Sequence, residues 1–262
     1  MNSPLRAAAC QMESCHDVGA NTDRIAAAIG EAARRGAELL VLPECALCGY
    51  LPRRDLDFGQ VACAQEELAR QALDAGLWVA LGTVRQEGGR WYNTALLLSP
   101  TGGVAARYDK THLMPGERDV FAAGDGLPVF HAGAWTFGIQ ICFDMRFPEN
   151  WRILRGKGAE MVIHLSSASR AAAWKVPVLE GAVRSRAAEN GMFVVSANEA
   201  GRPQMMVSAI CDPDGRDLAR APQNEEAMIV AELDRSAVKS DFLAARRVDL
   251  WDTPEHRPLL LS

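Results

Sequence analysis

Three residues with complementary chemistry each stand at the end of a predicted β-strand. They are Glu44 after the run 38–43, Lys110 after 104–108, and Cys142 after 136–141. An acid, a cation and a thiol together suit acyl transfer through a thioester, in which the carboxylate takes the thiol proton and later protonates a leaving amine. An ammonium and a backbone N–H then stabilise the oxyanion. No one of the three signals is specific alone, but their combination predicts a hydrolytic site.

Cys142 stands at the junction between a predicted strand and a predicted helix. The run 136–141 is rich in β-branched and aromatic residues, and Pro148 suits the first turn of a helix. Such a junction holds a reactive side chain at the end of a rigid sheet beside free backbone N–H groups. We predict that Cys142 is the nucleophile. The alternative is a structural cysteine, since free cysteines are among the most buried residues.

Glu44 and Lys110 can each be interpreted as a functional residue or as a residue without a catalytic role. A carboxylate at the end of a buried strand is costly unless it is paired or functional, because burial disfavours its charge. Lys110 is one of four lysines in a chain with 28 Lys and Arg residues, and an ammonium is a compact charge that suits an oxyanion. The alternatives are a capping or surface Glu44 and a solvated loop Lys110.

Hydrophobic periodicity predicts an α/β protein with mixed sheets. Two strand–helix–strand units have the form of parallel βαβ units, while Gly-rich turns at 86–90 and 100–103 predict antiparallel hairpins. A turn at 212–215 is expected between the last two strands. The predicted strands are 5–11, 38–43, 77–84, 94–99, 104–108, 136–141, 160–165, 192–197, 206–211 and 227–233, and the predicted helices are 21–35, 65–76, 148–156 and 174–190.

Composition narrows the possible partners and location. The net charge is −5 and no basic patch stands out, so nucleic acid is not expected as a partner. The start, 1–6, does not have the pattern of a signal peptide, and no apolar stretch is long enough for a membrane span. We therefore expect a cytoplasmic protein without a membrane partner.

The seven cysteines favour free thiols in a reducing compartment, because their number is odd and the chain is too large to need disulfides. Cys45 and Cys48 form a CxxC pair, yet the chain has no second such pair and no histidine pair at ligand spacing. No metal site is predicted. A redox role for the pair is disfavoured because Gly49 and Pro52 interrupt the helix that such a motif would open.

The motifs around these residues closely resemble those of the nitrilase superfamily of carbon–nitrogen hydrolases, over nearly the whole chain. The matching segments are 42–44 with 49–50, 108–113, 124–125, 141–149 and 184–190 followed by 197–198. The resemblance implies a catalytic Glu–Lys–Cys triad at Glu44, Lys110 and Cys142, with Glu117 as a second glutamate that positions substrate or catalytic groups. It implies no cofactor.

The same resemblance implies a fold and an assembly. The expected fold is a four-layer α-β-β-α sandwich of the nitrilase type with mixed sheets. The chain would be one domain, 1–262, whose C-terminal arm, 241–262, crosses to a second subunit in a homodimer or a higher homo-oligomer.

Within the superfamily, the segment around Cys142 is most similar to amidase and omega-amidase-like members. Phe143, Arg146 and Trp174 are then the candidate substrate-binding residues, with Arg146 suited to a substrate carboxylate. Arg146 could instead pair with Asp144 or Glu149, and Trp174 could be a core or rim residue. Ala173 departs from the family pattern, because many amidase members have histidine there.

The resulting hypothesis is a metal-independent thiol enzyme that hydrolyses a small amide through an acyl-enzyme on Cys142 and releases ammonia. N-carbamoyl hydrolysis by the same triad is an open alternative. A nitrilase activity, or a binding protein that keeps the fold without chemistry, is disfavoured.

Overall fold

The computed structural model describes residues 4–169, 172–240 and 244–245. Its strands and helices alternate in the way that the periodicity predicts. The strands are β1 (Leu5–Gln11), β2 (Leu39–Val41), β3 (Trp78–Glu87), β4 (Arg90–Leu98), β5 (Val104–Asp109), β6 (Val129–Ala132), β7 (Trp135–Ile141), β8 (Met161–Ser166), β9 (Phe193–Asn198), β10 (Ala209–Cys211), β11 (Asp217–Arg220) and β12 (Ala227–Leu233). The α-helices are α1 (Val18–Arg34), α2 (Phe58–Ala75), α3 (Pro148–Gly156) and α4 (Val176–Asn190).

The strands form two six-stranded sheets, in the orders β12-β1-β2-β3-β4-β5 and β11-β10-β9-β8-β7-β6. We call them sheet 1 and sheet 2. β1 and β2 are parallel around α1, and β7 and β8 are parallel around α3, which confirms both βαβ units. Antiparallel hairpins such as β3–β4 complete each sheet. Both sheets are therefore mixed.

Three apolar cores divide the molecule into four layers. One core lies between α1, α2 and sheet 1, a second lies between the two sheets, and a third lies between sheet 2 and the helices α3 and α4. Alternation along β8 explains this arrangement, because Ile163 belongs to the core between the sheets and Val162 to the core under the helices. The predicted four-layer α-β-β-α sandwich is confirmed.

Several predicted boundaries shift by a few residues, and the larger differences are at α2 and at two short strands. One of these strands, β6, lies where the sequence analysis predicted none. α2 begins at Phe58 rather than at 65, because Asp57 caps it by accepting hydrogen bonds from the N–H groups of Gly59 and Gln60. The turn at 212–215 joins β10 to β11, a strand that the sequence analysis missed. The next strand, β12, instead crosses to sheet 1 and pairs with β1.

The end of the chain lies mostly outside the described residues. The predicted C-terminal arm, 241–262, is described at Ala244 and Ala245 alone, so the arm stays a prediction. Among the helices that the structure does describe, none combines the length and the apolar character needed to cross a membrane.

Candidate active site

Glu44, Lys110 and Glu117 form a fully buried cluster where β2 and β5 of sheet 1 end. Lys110 Nζ donates hydrogen bonds to Glu44 Oε1 at 2.7 Å and to Glu117 Oε1 at 2.6 Å. The capping and solvated alternatives for Glu44 and Lys110 are therefore wrong. Glu117 also accepts a hydrogen bond from the Met114 N–H at 2.7 Å, which fixes its loop beside the lysine.

The charges of this cluster stabilise one another. Burial alone would lower the pKa of the Lys110 ammonium, but Glu44, Cys142 and Glu117 raise it well above its ordinary value. Burial and the nearby Glu44 raise the pKa of the Glu117 carboxyl, which Lys110 opposes. Lys110 therefore stays protonated, and its single positive charge serves two carboxylates.

Two further groups hold Glu44 in place. Asn93 Nδ2 donates to Glu44 Oε1 at 2.7 Å, and the Ser167 N–H donates to Glu44 Oε2 at 2.9 Å. Asn93 Oδ1 has no hydrogen-bond partner among the described residues, so the amide presents its donor to the carboxylate at the cost of an unpaired oxygen. Both carboxylate oxygens are thus oriented before a substrate binds.

Gly82 leaves the space that the Glu44 turn occupies. A Cβ atom at Gly82 would lie 2.0 Å from the Pro43 carbonyl oxygen and 2.9 Å from the Glu44 Cα. The chain then turns sharply, since Cys45 has a positive φ of 51°. Only a glycine on β3 permits this close approach.

Cys142 follows β7 in a strained turn and is half-buried. Its φ of 47° lies in the left-handed region, which is costly for a residue with a side chain. Burial and Glu44 raise the pKa of the thiol to about 12, against the opposing effects of Lys110 and a hydrogen bond from Ser166. The resting residue is therefore a thiol that needs a base before it can attack.

Asp144 organises the turn that carries Cys142. One oxygen accepts hydrogen bonds from the Ile141 N–H at 3.0 Å and from the Tyr108 hydroxyl at 2.8 Å. The other accepts from the His112 N–H at 2.9 Å and the Thr111 hydroxyl at 3.0 Å. Because these donors come from the Lys110 loop and from β7, Asp144 joins the cysteine turn to the lysine segment.

The structure does not bring all predicted substrate-binding residues into this cluster. Phe143 is half-buried and its ring contacts that of Phe147 edge to face at 5.5 Å. Arg146 is exposed and makes no hydrogen bond or ion pair within the described segments, so it does not pair with Asp144 or Glu149 there. Trp174 is 71% exposed, which rules out a core position. Substrate binding by these three residues stays a prediction.

The sequence analysis missed Asn93 and Ser167 as site residues. Asn93 is a buried amide within a strand. Because a buried amide needs a hydrogen-bond partner, an asparagine inside a predicted strand was a signal from which a site residue could have been inferred. Ser167 acts through its backbone N–H, for which the sequence carries no signal.

Over the part of the chain that the structure describes, no three His, Cys, Asp or Glu residues are placed to hold a metal ion.

Comparison with known proteins agrees with this fold. The sequence pattern of the carbon-nitrogen hydrolase family matches residues 6–241. The chain belongs to this family and is an enzyme that hydrolyses carbon–nitrogen bonds.

Individual relatives have several activities. The chain is 33% identical to a nitrilase from Pyrococcus abyssi, over 81% of this chain and 82% of the relative. It is 34% identical to an (R)-stereoselective amidase from a Pseudomonas species, over 86% of this chain and 81% of the relative. It is also 30% identical to the deaminated glutathione amidase of Homo sapiens, over 95% of this chain and 84% of the relative.

Solved structures include an amidase from Nesterenkonia sp., which is 28% identical and superposes with a TM-score of 0.84 over 95% of this chain and 96% of that chain. A glutamate-to-glutamine variant of the amidase from Nesterenkonia sp. AN1 shows covalent addition of the acetamide moiety of fluoroacetamide at its active-site cysteine. The predicted relationship to the nitrilase superfamily is confirmed.

Proposed function

We propose that this enzyme hydrolyses the amide bond of a small molecule through a covalent acyl-enzyme on Cys142 and releases ammonia. The observation that carries the proposal is the convergence of Glu44, Lys110 and the Cys142 thiol. Ile141 pairs with Leu165 on the neighbouring strand β8, and two residues further on the Ser167 N–H donates to Glu44 at 2.9 Å. The Cys142 turn and the Glu44–Lys110 pair therefore lie at the same end of the two sheets. A carboxylate base beside a protonated thiol is the combination that activates a sulfur nucleophile when it is needed.

The first half of the reaction forms the thioester. Glu44 takes the thiol proton, and the Cys142 sulfur attacks the amide carbon while the carbonyl electrons move to oxygen. The Lys110 ammonium and the Phe143 N–H stabilise this oxyanion. When the intermediate collapses, the carbon–nitrogen bond breaks, Glu44 gives its proton to the nitrogen, and ammonia leaves.

The second half releases the acid and restores the thiol. Glu44 takes a proton from a water molecule, whose oxygen attacks the thioester carbon. The carbon–sulfur bond then breaks, the carboxylic acid product leaves, and the Glu44 proton returns to the Cys142 sulfur. Lys110 keeps its proton throughout, because Glu44 and Glu117 raise its pKa. It therefore acts as a fixed positive charge rather than as an acid.

The relatives support amide chemistry. A glutamate-to-glutamine variant of the Nesterenkonia amidase carries the acetamide moiety of fluoroacetamide on its active-site cysteine, so the cysteine of that relative reacts as a nucleophile. Several curated relatives are amidases. Because one relative, from Pyrococcus abyssi, is a nitrilase, nitriles are included among the compounds to be tested.

Arg146 favours substrates that carry a carboxylate. Its guanidinium is exposed, lies four positions after Cys142, and has no acidic partner within the described segments. A bidentate contact would orient a carboxylate at the far end of the substrate. Because N-carbamoyl amino acids also carry a carboxylate, N-carbamoyl hydrolysis is the second candidate, and it would release carbon dioxide as well as ammonia.

The test is ammonia release from amides, ureido acids and nitriles, combined with the intact mass of the protein. Wild type is expected to release ammonia from an amide and to carry an acyl mass that Cys142→Ala lacks. Carbon dioxide from a ureido acid would favour the second candidate. Turnover retained by Cys142→Ala would refute the mechanism. Cys211→Ala is a suitable control, since Cys211 is a buried cysteine of the core under the helices.

A further inference from the structure

A buried histidine and serine lie directly behind the cysteine turn, on neighbouring strands of sheet 2. His164 on β8 and Ser196 on β9 are both fully buried. They lie on the face of the sheet that packs against α3 and α4, and the His164 ring is 6.0 Å from that of Trp151 on α3. His164 and Ser196 are separate from the Glu44–Lys110–Cys142 triad and from Glu117. A buried polar pair among apolar residues requires an explanation.

The hydrogen bonds of His164 define its tautomer. Nε2 lies 3.3 Å from the Cys142 carbonyl oxygen, and Nδ1 lies 2.9 Å from Ser196 Oγ. A carbonyl oxygen only accepts, so Nε2 carries the hydrogen. Burial lowers the pKa of the imidazole to about 4, so at neutral pH Nδ1 is unprotonated and accepts from the Ser196 hydroxyl. The Cys142 carbonyl thereby fixes the tautomer, and the Ser196 hydroxyl supplies the donor that the unprotonated Nδ1 accepts from.

This donation also determines where the next backbone N–H points. The Cys142 carbonyl and the Phe143 N–H belong to one planar trans peptide, in which the two groups point in opposite directions. Holding the carbonyl toward the helix-facing side of sheet 2 turns the Phe143 N–H away from that side. Phe143 is the second residue of a short 3₁₀ helix, Cys142–Arg146, and the first N–H groups of a helix have no partner within that helix.

We propose that His164 is a positioning residue that aims and polarises the Phe143 N–H as an oxyanion donor, through its hydrogen bond to the Cys142 carbonyl. A donor on a carbonyl makes the N–H of the same peptide a stronger donor, because linked hydrogen bonds polarise one another. It also maintains a turn whose positive φ at Cys142 is intrinsically unfavourable. The inference rests on the function proposed above.

The expected effect is on kcat rather than on KM. The Phe143 N–H binds the oxyanion, which exists after attack and not in the bound amide, so loss of its alignment weakens transition-state binding alone. Removal of a whole oxyanion donor costs roughly 100-fold to 1,000-fold in kcat. His164→Leu leaves the Phe143 N–H present but misaligned. We therefore expect this variant to lower kcat about 10-fold to 100-fold.

Two probes separate oxyanion stabilisation from thiol reactivity. Butyraldehyde reacts with the thiol to form a thiohemiacetal, in which the sulfur bonds to carbon and the carbonyl electrons move to an oxygen that the Phe143 N–H would bind. Methyl methanethiosulfonate forms a mixed disulfide with the thiolate and expels methanesulfinate, so no carbonyl oxygen takes part. A residue that acts on the oxyanion changes the first reaction and not the second.

The experiment compares wild type with His164→Leu, His164→Gln and Ser196→Ala, with His131→Leu as a matched control on the exposed edge of the same sheet. His164→Leu is expected to lower kcat and butyraldehyde affinity by the same factor, with KM and the methanethiosulfonate rate unchanged. His164→Gln retains an N–H donor and should recover part of both losses. Ser196→Ala keeps the imidazole, so its losses of kcat and of butyraldehyde affinity should be smaller than those of His164→Leu. The two losses should still be equal to each other.

Butyraldehyde affinity that is unchanged in both His164→Leu and Ser196→Ala would overturn the inference. A parallel loss of kcat and of the methanethiosulfonate rate would do the same, since it would show general damage to the site. Failure of the proposed function would be visible in wild type, as an absence of both the acyl mass and butyraldehyde inhibition.

Discussion

Lys110 Nζ lies 2.7 Å from Glu44 Oε1 in a fully buried ion pair, although 66 positions separate the two residues. The pair is not isolated, because Glu117 contacts the same ammonium at 2.6 Å. One positive charge therefore compensates two buried carboxylates, and loss of that charge would leave both without a counter-ion.

Lys110→Met is therefore expected to destabilise the protein by about 3–5 kcal/mol at neutral pH, the range for breaking a buried ion pair. The loss should be smaller at mildly acidic pH. Burial already raises the pKa of Glu117, and without the lysine its carboxyl would take up a proton more readily. Urea unfolding at both pH values measures this, with Lys175→Met as the control. Equal losses at both pH values would contradict the charge argument.

Glu44→Gln is expected to lower turnover roughly 100-fold to 10,000-fold, the usual contribution of a general base. The same change should lower the pKa of the Cys142 thiol from about 12, since Glu44 is one of the causes of its elevation. The pH dependence of Cys142 modification, followed by peptide mass, reports this pKa. Glu149→Gln, at an exposed glutamate of α3, should leave both quantities unchanged. An unaltered thiol pKa in Glu44→Gln would place Glu44 too far from the sulfur.

Gly82→Ala is expected to reduce activity strongly, because the new Cβ would lie 2.0 Å from the Pro43 carbonyl oxygen and force the Glu44 turn to move. Gly156→Ala makes the same chemical change at the end of α3, where a Cβ meets nothing within 4 Å. The two kcat/KM values, measured on folded protein, provide the comparison. Similar values for both variants would show that the turn tolerates the displacement.

Asp144→Asn is expected to lower the free energy of unfolding by about 3 kcal/mol, since a charged acceptor with several hydrogen bonds is lost and an amide N–H₂ would face donors. Turnover should fall as well, because the Ile141 N–H and the Lys110 loop are joined through this carboxylate. Chemical unfolding and kcat are the two measurements. Asp214→Asn, at an exposed position, should leave both the free energy of unfolding and kcat nearly unchanged. A stable but inactive Asp144→Asn would assign the residue a purely catalytic role.

His164 should make the protein acid-sensitive. Its pKa is about 4 in the folded protein, against an ordinary value of 6.5, so the unfolded chain binds the extra proton between these values. The resulting stabilisation is complete above the ordinary pKa and is lost as pH falls through the folded value. It amounts to up to about 3 kcal/mol. Wild type should lose stability between pH 6.5 and 4 more steeply than His164→Leu, which urea unfolding across this range would reveal.

Local patterns predicted most elements because they depend on side-chain periodicity. β1 and β12 begin and end where the sequence analysis placed them. The first turn of α2 was missed since its start depends on the Asp57 cap rather than on an apolar stripe. β6 and β11 were missed because a four-residue strand carries little pattern. The homodimer, the single-domain organisation and the cytoplasmic location stay predictions.

The sequence by itself determined which groups could do the chemistry, because the acid, the cation and the thiol each follow a strand that the sequence predicts. It also carried the family motifs. Only the tertiary structure decided how these groups are held. The amide of Asn93, the backbone N–H of Ser167 and the imidazole of His164 act through contacts between distant segments. The Ser167 contact joins the two sheets, whereas the Asn93 contact lies within sheet 1 and the His164 contact within sheet 2. No local pattern encodes which strand ends meet in either case.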